Sequence, residues 1–406
     1  MCNYRLVEVA DSSSECAFYE LPVELYRGNE YWVHPLRGDM QSVFDKDKNP
    51  LYKAGGELCR WILLDNADRC VGRVAAFVNP TSYLVDGYKV GQMGFFECID
   101  DYVAAKTLID CAKDWLLARG MECMEGPVNF GERMMWWGLL NKGFDEAPVY
   151  GMPYTHQYYV KFFEEYGFKN YYNQLGCRTK LAAESLSKVV IWKADRILQD
   201  PNYLVVNFAQ IGEKKAIDSI LTVYNKAWNV EVHGVQGADR AEIMALYKSL
   251  KPVIDKNLIY FAYYQNEPIG FFLMFPEMNQ VFKKLNGKID FIGAVKLFYS
   301  LKFKKIDVAL GQLFGIVPEF QNKGVEAALI KKFYDDVVGN RFHYKELELN
   351  WIGDFNPPMV HLMDYIGASQ VRIYTTYRYM LNSAIPFERS VDRMKRLKEK
   401  KIQIDN

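Results

Sequence analysis

The residues best suited to chemistry lie in one short stretch, PEFQNKGVEAAL, at residues 318–329. An apolar run ends at Pro318, and a polar turn containing Gly324 leads into an apolar helical pattern. The first amides of a helix have no intrahelical acceptor and carry the positive end of the helix dipole. Glycine lets a ligand approach the backbone, and Lys323 adds a cation. The stretch therefore predicts an anion site, with phosphate as the usual ligand.

The elements that must position this turn follow an order that occurs twice along the chain. In the first half, two β-rich runs around DNAD precede a strand, an amphipathic helix ending at Gly120, a strand, a helix and a closing strand, QLGCRTKL. The second half repeats this order between YLVVNFAQ and RIYTTYRYML. The pattern predicts an α/β (α+β) fold of two related domains, each a mixed, mostly antiparallel sheet flanked by helices.

A shift in composition indicates where the halves meet. All eight cysteines lie at or before Cys177, and a helical pattern follows them. We therefore predict a first domain at 1–180, a connecting helix at 181–201 and a second domain at 202–383.

Two segments exceed a minimal domain, an insertion at 278–306 and a basic tail at 384–406. The tail has the composition of a solvated end. In the insertion, apolar residues alternate with lysines. A helix packed on its own domain, a cover over an apolar substrate cavity and a basic amphipathic surface for membranes all fit this pattern.

The bulk composition excludes several classes of protein. The chain has 50 Lys plus Arg and 50 Asp plus Glu, so its net charge does not favour nucleic acid. No cysteines form a C-x-x-C pair, which argues against a zinc ribbon or redox motif and for reduced thiols. The start has no signal-peptide pattern, and no apolar run approaches the roughly 18 residues of a spanning helix. We expect a cytoplasmic protein without stable membrane insertion. The sequence does not determine its oligomeric state.

The string GIVPEFQNKGVEAALI resembles the acyl-CoA signature of the GNAT acetyltransferase superfamily, Q/R-x-x-G-x-G/A after the fourth strand. Gln321 and Gly324 match its first two fixed positions. WIGDFNPPMVHLMDYIGA is similar to the family's motif around the fifth strand, where Asn356 matches a cofactor-contacting Asn and Met359 takes a small-residue position. The resemblance covers roughly 203–383, and the whole chain resembles a bacterial family of tandem GNAT-like proteins.

This resemblance implies acetyl-CoA or a longer acyl-CoA as co-substrate and a small-molecule or peptide amine as acceptor, with no metal. The backbone of Phe314 and Ile316 would bind the pantetheine arm. The main-chain amides of the turn and of the first helical residues would hold the pyrophosphate: Asn322, Lys323, Gly324, Val325, Glu326 and Ala327. Gln321 and Gly324 would occupy the fixed positions of the signature. In the first half, the corresponding CIDDYVAAK has no glycine and places two aspartates where a phosphate would lie, so no CoA site is expected there.

Acylation of an amine requires a base, because the attacking nitrogen must lose a proton. Glu346, Glu348 and Asn350 share one face of the strand KELELNWI, and Glu348 is the candidate base; a solvated row of carboxylates is the alternative. No H-x-E or H-E-x-x-H pattern indicates a metal. Two residues depart from the family pattern: Glu326 stands at the Gly/Ala position, and Met363 replaces a tyrosine that protonates the leaving thiolate.

The sequence thus predicts an acyl-CoA-dependent N-acyltransferase that transfers an acetyl or longer acyl group. The two departures also fit a different class, a non-catalytic acyl-CoA or lipid sensor or an interaction protein on the same fold. A group of aromatic residues in the first half indicates either a pocket between the domains or ordinary core between them. These are Trp136, Trp137, Tyr154, Tyr158 and Tyr159.

Overall fold

The computed structural model describes residues 4–80, 87–131, 133–227, 237–303, 305–339 and 341–404. Within these ranges all strands belong to one 13-stranded sheet with helices packed against it. The mixed, mostly antiparallel α/β architecture predicted from the sequence is confirmed. No helix in these ranges is both long and apolar enough to cross a membrane.

The first half contributes seven of the described strands. They are β1 (Arg5–Glu8), β2 (Glu57–Leu64), β3 (Cys70–Val78), β4 (Val90–Cys98), β5 (Cys123–Gly126), β6 (Leu139–Lys142) and β7 (Lys169–Lys180). The second half contributes the other six. They are β8 (Tyr203–Asn207), β9 (Ile259–Tyr264), β10 (Glu267–Pro276), β11 (Val308–Ile316), β12 (Glu346–Gly353) and β13 (Ser369–Met380).

The helices of the described part flank this sheet. In the first half they are α1 (Ser12–Leu25), α2 (Arg37–Phe44), α3 (Pro50–Lys53), α4 (Tyr102–Leu117) and α5 (Tyr158–Tyr166), followed by the connecting helix α6 (Lys188–Leu198). In the second half they are α7 (Phe208–Ile211), α8 (Glu213–Ala227), α9 (Arg240–Leu250), α10 (Asn279–Phe282), α11 (Phe291–Lys302), α12 (Val325–Val338), α13 (Pro357–Tyr365) and α14 (Ser390–Ile404).

The two halves exchange their last strands. The sheet order is β1-β2-β3-β4-β5-β13-β7-β12-β11-β10-β9-β8, with β6 also paired to β13. The final strand of the second half therefore lies beside β5 of the first, and β7 of the first lies beside β12 of the second. The repeated element order is present, but each half completes its sheet with a strand from the other.

The exchange is marked by two equivalent ion pairs. Glu125 on β5 lies opposite Arg378 on β13, and Glu348 on β12 lies opposite Arg178 on β7. The carboxylate accepts a hydrogen bond from its cross-strand arginine at 2.6 Å in the first pair and 3.1 Å in the second. Both glutamates are buried, and each arginine is the tenth residue of its strand. The two halves are thus related by an approximate twofold at the β13–β7 junction.

The insertion at 278–306 forms α10 and α11, and its first part rests on the first half. The Asn279 side chain donates to the Pro148 carbonyl at 2.8 Å, and the Arg37 amide donates to the Gly287 carbonyl at 2.9 Å. Gly287 has a φ of +73°, and a Cβ there would lie 2.6 Å from the His34 ring. The insertion therefore joins the two halves instead of packing on its own half alone.

Candidate active site

A gap opens between two neighbouring parallel strands of the second half. β11 and β12 pair only over Val308–Gly311 and Glu346–Leu349. Beyond this, β11 continues along β10, with Gln312 as a bulge residue, while β12 continues along β7 through a bulge at Trp351, whose φ is +63°. Each bulge turns its strand away from the other. The carboxyl ends of the two strands consequently diverge and leave their facing edges open.

The main chain of β11 presents hydrogen-bonding groups to this gap. The Val317 amide donates to the Ile269 carbonyl at 2.9 Å, on the side of β10. Because the direction of N–H and C=O groups alternates along a strand, those of Phe314 and Ile316 point away from β10, towards the gap. Their predicted contact with a pantetheine arm thus has the required direction. The Ile316 carbonyl already accepts a hydrogen bond from the Gln321 side chain at 3.1 Å.

The turn after β11 leaves a series of amides without partners. Asn322 and Gly324 have positive φ angles of 59° and 97°, and α12 begins at Val325. Within the described residues, the main-chain N–H groups from Asn322 to Ala327 have no acceptor in the protein, whereas Ala328 donates to the Gly324 carbonyl at 3.0 Å. No side chain caps the helix. Asn322 and Lys323 are exposed, whereas Gly324, Val325 and Ala327 are buried, so the turn is the accessible part of a set of donors that suits an anion.

The connecting helix α6 supports the turn from behind. Arg196 donates to the Lys323 carbonyl at 2.9 Å, and a Cβ on Gly324 would lie 3.2 Å from the Lys193 carbonyl. Gly324 is therefore needed for its positive φ and for the close approach of α6. The sequence alone predicts only that this glycine lets a phosphate approach the backbone.

Glu326, the residue that departs from the family pattern, does not fill the anion site. It makes no capping hydrogen bond to the turn, and its Oε2 is buried without a partner among the described residues. The amides around it are therefore left unoccupied by its carboxylate. The carboxyl group of Glu326 nevertheless belongs to the first turn of α12, close in sequence to these amides.

The equivalent position in the first half is closed. The Asp101 carboxylate caps α4 by accepting the Val103 amide at 2.7 Å and also accepts the Tyr4 hydroxyl at 2.6 Å. The bond from Tyr4 and those from the Val103 and Ala104 amides lower the pKa of Asp101. An ionised carboxylate of the protein thus occupies the helix start where a phosphate would bind.

The stretch that resembles the family's fifth-strand motif continues into α13, where its residues lie partly at the surface and partly in the core. Asn356 is exposed at the start of α13, and its side chain makes no capping hydrogen bond. Met359 is half-buried against the core of the second half, and Met363 is fully part of that core. Met363 cannot donate a proton, since its side chain is a thioether. The structure therefore offers no acid at the position of the family's tyrosine.

Glu348 is engaged in a buried ion-pair network. Its Oε1 accepts hydrogen bonds from Arg178 and from Arg372, and Arg178 also contacts Glu146 at 2.9 Å. Both guanidinium groups donate to the oxygen that would have to accept a proton from a substrate amine. Its role as general base stays a prediction.

Sequence reasoning missed Glu277, which directly follows β10. Its carboxylate accepts the amides of Tyr150 at 2.7 Å, Asn279 at 3.1 Å and Gln280 at 3.2 Å. Burial raises the pKa of Glu277 to about 7. The carboxylate thereby joins the first half to the insertion. A lone glutamate after the apolar run FFLMFP gives no signal of these contacts.

A small cavity of about 80 Å³ lies inside the first half. Trp136 and Tyr154 line it, and every described lining residue belongs to the first half, so this cavity does not lie between the domains. Tyr154 also packs in one hydrophobic cluster with Leu310 and Tyr374 of the second half, as the alternative of an interdomain core predicts. Glu97, Arg73 and Arg37 are its charged lining residues, and Glu97 and Arg73 lie 3.8 Å from each other. Burial raises the pKa of Glu97 and lowers that of Arg73. At about 30 Å³ per water molecule, the volume accommodates a few waters or a small group.

Comparison with known proteins gives two related sequences of similar length. The chain is 26% identical over 371 residues to a protein of Caulobacter vibrioides named bacterial ceramide synthase, covering 90% of this chain and 94% of that one. It is 24% identical over 369 residues to protein YghO of Escherichia coli K12, covering 89% and 91%. No family model matches the chain.

Solved structures resemble the chain in fold. A tandem GNAT protein from the clavulanic acid biosynthesis pathway superposes with a TM-score of 0.54 at 10% identity, covering 95% of this chain and all of that one. The glucosamine N-acetyltransferase region of a fungal multi-domain β-N-acetylglucosaminidase gives 0.53 at 11% identity, covering 93% of this chain and 38% of that one. Together with the strand order and the paired halves, these similarities show that the chain has the fold of the tandem GNAT proteins.

Proposed function

We propose that this protein is an acyl-CoA-dependent N-acyltransferase whose acyl donor binds to the second half. The observation that carries the proposal is the uncapped start of α12, where the amides from Asn322 to Ala327 have no acceptor in the part of the chain that the structure describes. They lie at the open end of the gap between β11 and β12. The matching helix start in the first half is filled by Asp101.

In the proposed complex, each group of the donor meets a matching part of the site. The pyrophosphate lies on the turn amides beside Lys323, and the pantetheine arm follows the main chain of Phe314 and Ile316. Asn356, exposed at the start of α13, and Met359 lie on the opposite side of the arm. No metal takes part in this scheme.

The reaction is a direct displacement at the thioester. The amine nitrogen attacks the carbonyl carbon, a C–N bond forms, the C–S bond breaks, and the nitrogen loses a proton while the thiolate leaves. A main-chain N–H group of β11 that faces the gap can stabilise negative charge on the carbonyl oxygen. Glu348 is the proposed base, and water protonates the thiolate, because Met363 cannot.

A long-chain amine and a long acyl donor are the favoured substrates. The Caulobacter relative is named a ceramide synthase, and a ceramide is the amide of a fatty acid and a long-chain amino alcohol. This chain aligns with it over nine-tenths of its length. The acetyl donor and a small-molecule or peptide amine are the alternatives to be compared.

Calorimetric titration tests the donor site. CoA, acetyl-CoA and palmitoyl-CoA should bind, and pantetheine should bind at least about tenfold more weakly, because it lacks the pyrophosphate that the amides hold. Glu326→Gln should tighten CoA by about fivefold, since it removes a like charge worth about 1 kcal/mol. Asp101→Asn, which keeps a capping oxygen in the first half, should leave the affinity unchanged. The proposal fails if no CoA species binds, or if Asp101→Asn and not Glu326→Gln changes the affinity.

A second candidate function is a non-catalytic acyl-CoA or lipid sensor. The core position of Met363 and the two arginines on Glu348 favour it, because they remove the acid and restrain the base. Thiol release from palmitoyl-CoA in the presence of long-chain and short-chain amines distinguishes the two functions. An enzyme releases thiol with at least one amine, whereas a sensor binds the donor and releases none.

A further inference from the structure

Helix α11 carries an apolar face that nothing in the described structure covers. Phe291 is 83% exposed and Phe298 is 66% exposed. Four more apolar side chains of the same segment are each more than half exposed: Ile292, Val295, Tyr299 and Phe303. Patches of this kind on a protein surface mark interaction sites.

The opposite side of α11 is the one that packs on the protein. Gly293 is buried, and Leu297 and Leu301 pack on a cluster formed by Met278, Val281, Phe282, Leu285 and Ile306. These three positions recur every four residues and define one stripe of the helix. The exposed residues fall outside this stripe, so the fold uses one side of an apolar helix and leaves the other without a partner.

The segment that carries the exposed face is rich in lysine. Seven lysines and one aspartate lie between residues 283 and 305, in a chain whose net charge is zero. The described lysines are all exposed, and none of them forms an ion pair with the described residues. They are Lys283, Lys284, Lys288, Lys296, Lys302 and Lys305. The single aspartate, Asp290, caps α11 through the Gly293 amide at 2.7 Å.

The helix has a fixed position on the molecule. Its preceding segment is bound to the first half through Gly287 and Asn279, and its C-terminal end leads into β11, the strand that borders the candidate site. Twelve residues span about 18 Å, which is less than the roughly 30 Å of a bilayer core, so the helix suits a position in the plane of an interface. Interfacial helices combine an apolar face with flanking lysines in this way.

We propose that α11 docks the protein on the surface of an anionic phospholipid bilayer. Its phenylalanines enter the boundary between headgroups and acyl chains, and the lysines of its segment bind the phosphate groups of the lipids. A second copy of the chain would also cover apolar residues, but two such faces would bring the lysines of two lysine-rich segments together. Like charges at close range oppose that arrangement. The bilayer supplies the complementary charge.

Co-sedimentation of the full-length protein with vesicles tests this proposal. Vesicles of 70% phosphatidylcholine and 30% phosphatidylglycerol should bind the wild type at least about tenfold more strongly than vesicles of phosphatidylcholine alone, because each lysine near an anionic surface adds to the attraction. High salt should abolish most of this difference. The double variant Phe291→Glu/Phe298→Glu should lose at least about tenfold in binding.

Leu246→Glu is the matched control, since Leu246 is an exposed apolar residue on α9. It should bind vesicles like the wild type, and all three proteins should have the same melting temperature. Equal binding by the double variant, or no binding by the wild type, overturns the proposal. The proposal is also overturned if the wild type does not bind vesicles but forms a dimer in sedimentation velocity, and the double variant is a monomer. The assay contains no acyl donor, so its failure would leave the proposed acyl-CoA site untouched.

Discussion

Glu348 and Glu125 form a matched pair of residues, because each lies opposite an arginine of an exchanged strand. Removing one partner of a buried ion pair leaves an uncompensated charge, so Glu348→Gln and Glu125→Gln should each lower the free energy of unfolding by about 3 kcal/mol. Urea denaturation measures both values. A loss below about 1 kcal/mol in either variant would contradict the shared structural role.

The same two variants also test the proposed base. If Glu348 takes the proton of the amine, kcat per folded molecule should fall by about a hundredfold in Glu348→Gln, with no comparable loss in Glu125→Gln. Equal kcat in the two variants would leave Glu348 with its structural role alone. The comparison is informative because both substitutions disturb the sheet in equivalent places.

Glu277 should make the stability of the protein depend on pH. Its pKa is about 7 in the folded state, above the ordinary value of 4.5, so the folded protein holds this proton more tightly than the unfolded chain. Stability from this group is therefore present below pH 4.5 and is lost as the pH rises to about 7. The loss amounts to about 3 kcal/mol at most.

Substitution of this carboxyl group isolates its effect. Glu277→Gln should gain stability relative to the wild type as the pH rises from 5 to 7.5, because the amide does not ionise. Glu267→Gln, at an exposed position on β10, should follow the wild type at both pH values. Urea unfolding at the two pH values measures the difference, and a constant offset between Glu277→Gln and the wild type would contradict the assignment.

At the scale of elements, the donor turn depends on its packing against α6. Gly324→Ala requires an unfavourable positive φ and also brings a Cβ to 3.2 Å from the Lys193 carbonyl. We expect a loss of about 2 kcal/mol in stability and a lower affinity for CoA. Gly120→Ala is the control, since Gly120 has a φ of +69° with open space around its Cβ position.

Gly120→Ala should therefore lose only the backbone part, about 1 kcal/mol, with CoA binding unchanged. Thermal unfolding and calorimetric titration give the two quantities. An equal effect of the two variants on stability would show that α6 does not constrain the turn.

Helices, strands and turns with strong local patterns could be predicted from the sequence, but the strands that lie beside one another in the sheet could not. The amphipathic run before Gly120 and the succession of apolar strand, glycine turn and helix around Gly324 formed as expected, because main-chain geometry and side-chain period determine them. The runs QLGCRTKL and RIYTTYRYML were identified as strands, yet alternation says nothing about which strand lies beside them. The exchange of β7 and β13 therefore escaped prediction.

In the candidate site, too, local features could be predicted from the sequence, and contacts between distant strands could not. The anion-binding amides could be predicted, because they belong to a local turn. The engagement of Glu348 could not, since Arg178 and Arg372 reach it from β7 and β13, whose places depend on the exchange. The sequence analysis expects no CoA site in the first half, because CIDDYVAAK carries two aspartates where a phosphate would lie. The capping of α4 by Asp101 supports this expectation.

At the scale of the whole molecule, the halves should not fold separately. A fragment of residues 1–201 would lack β13, which pairs with β5 and β7, and β12, which pairs with β7. Its exposed strand edges invite aggregation. We expect no cooperative unfolding transition for this fragment in circular dichroism, and recovery of one when it is expressed together with residues 202–406. A stable, monomeric fragment 1–201 would contradict this expectation and support the predicted domain at 1–180.

The exchange of β13 also imposes a delay during synthesis on the ribosome, because β5 is made long before the strand that pairs with it. The edge of β5 is complete once Gly126 has left the exit tunnel, but its partner begins at Ser369. At 5–20 residues per second, the edge waits roughly ten to fifty seconds for its neighbour. During that interval the nascent first half presents an unpaired edge to other chains. Efficient production of this protein should therefore depend on chaperones that bind emerging chains, and slow translation of the second half should increase its losses.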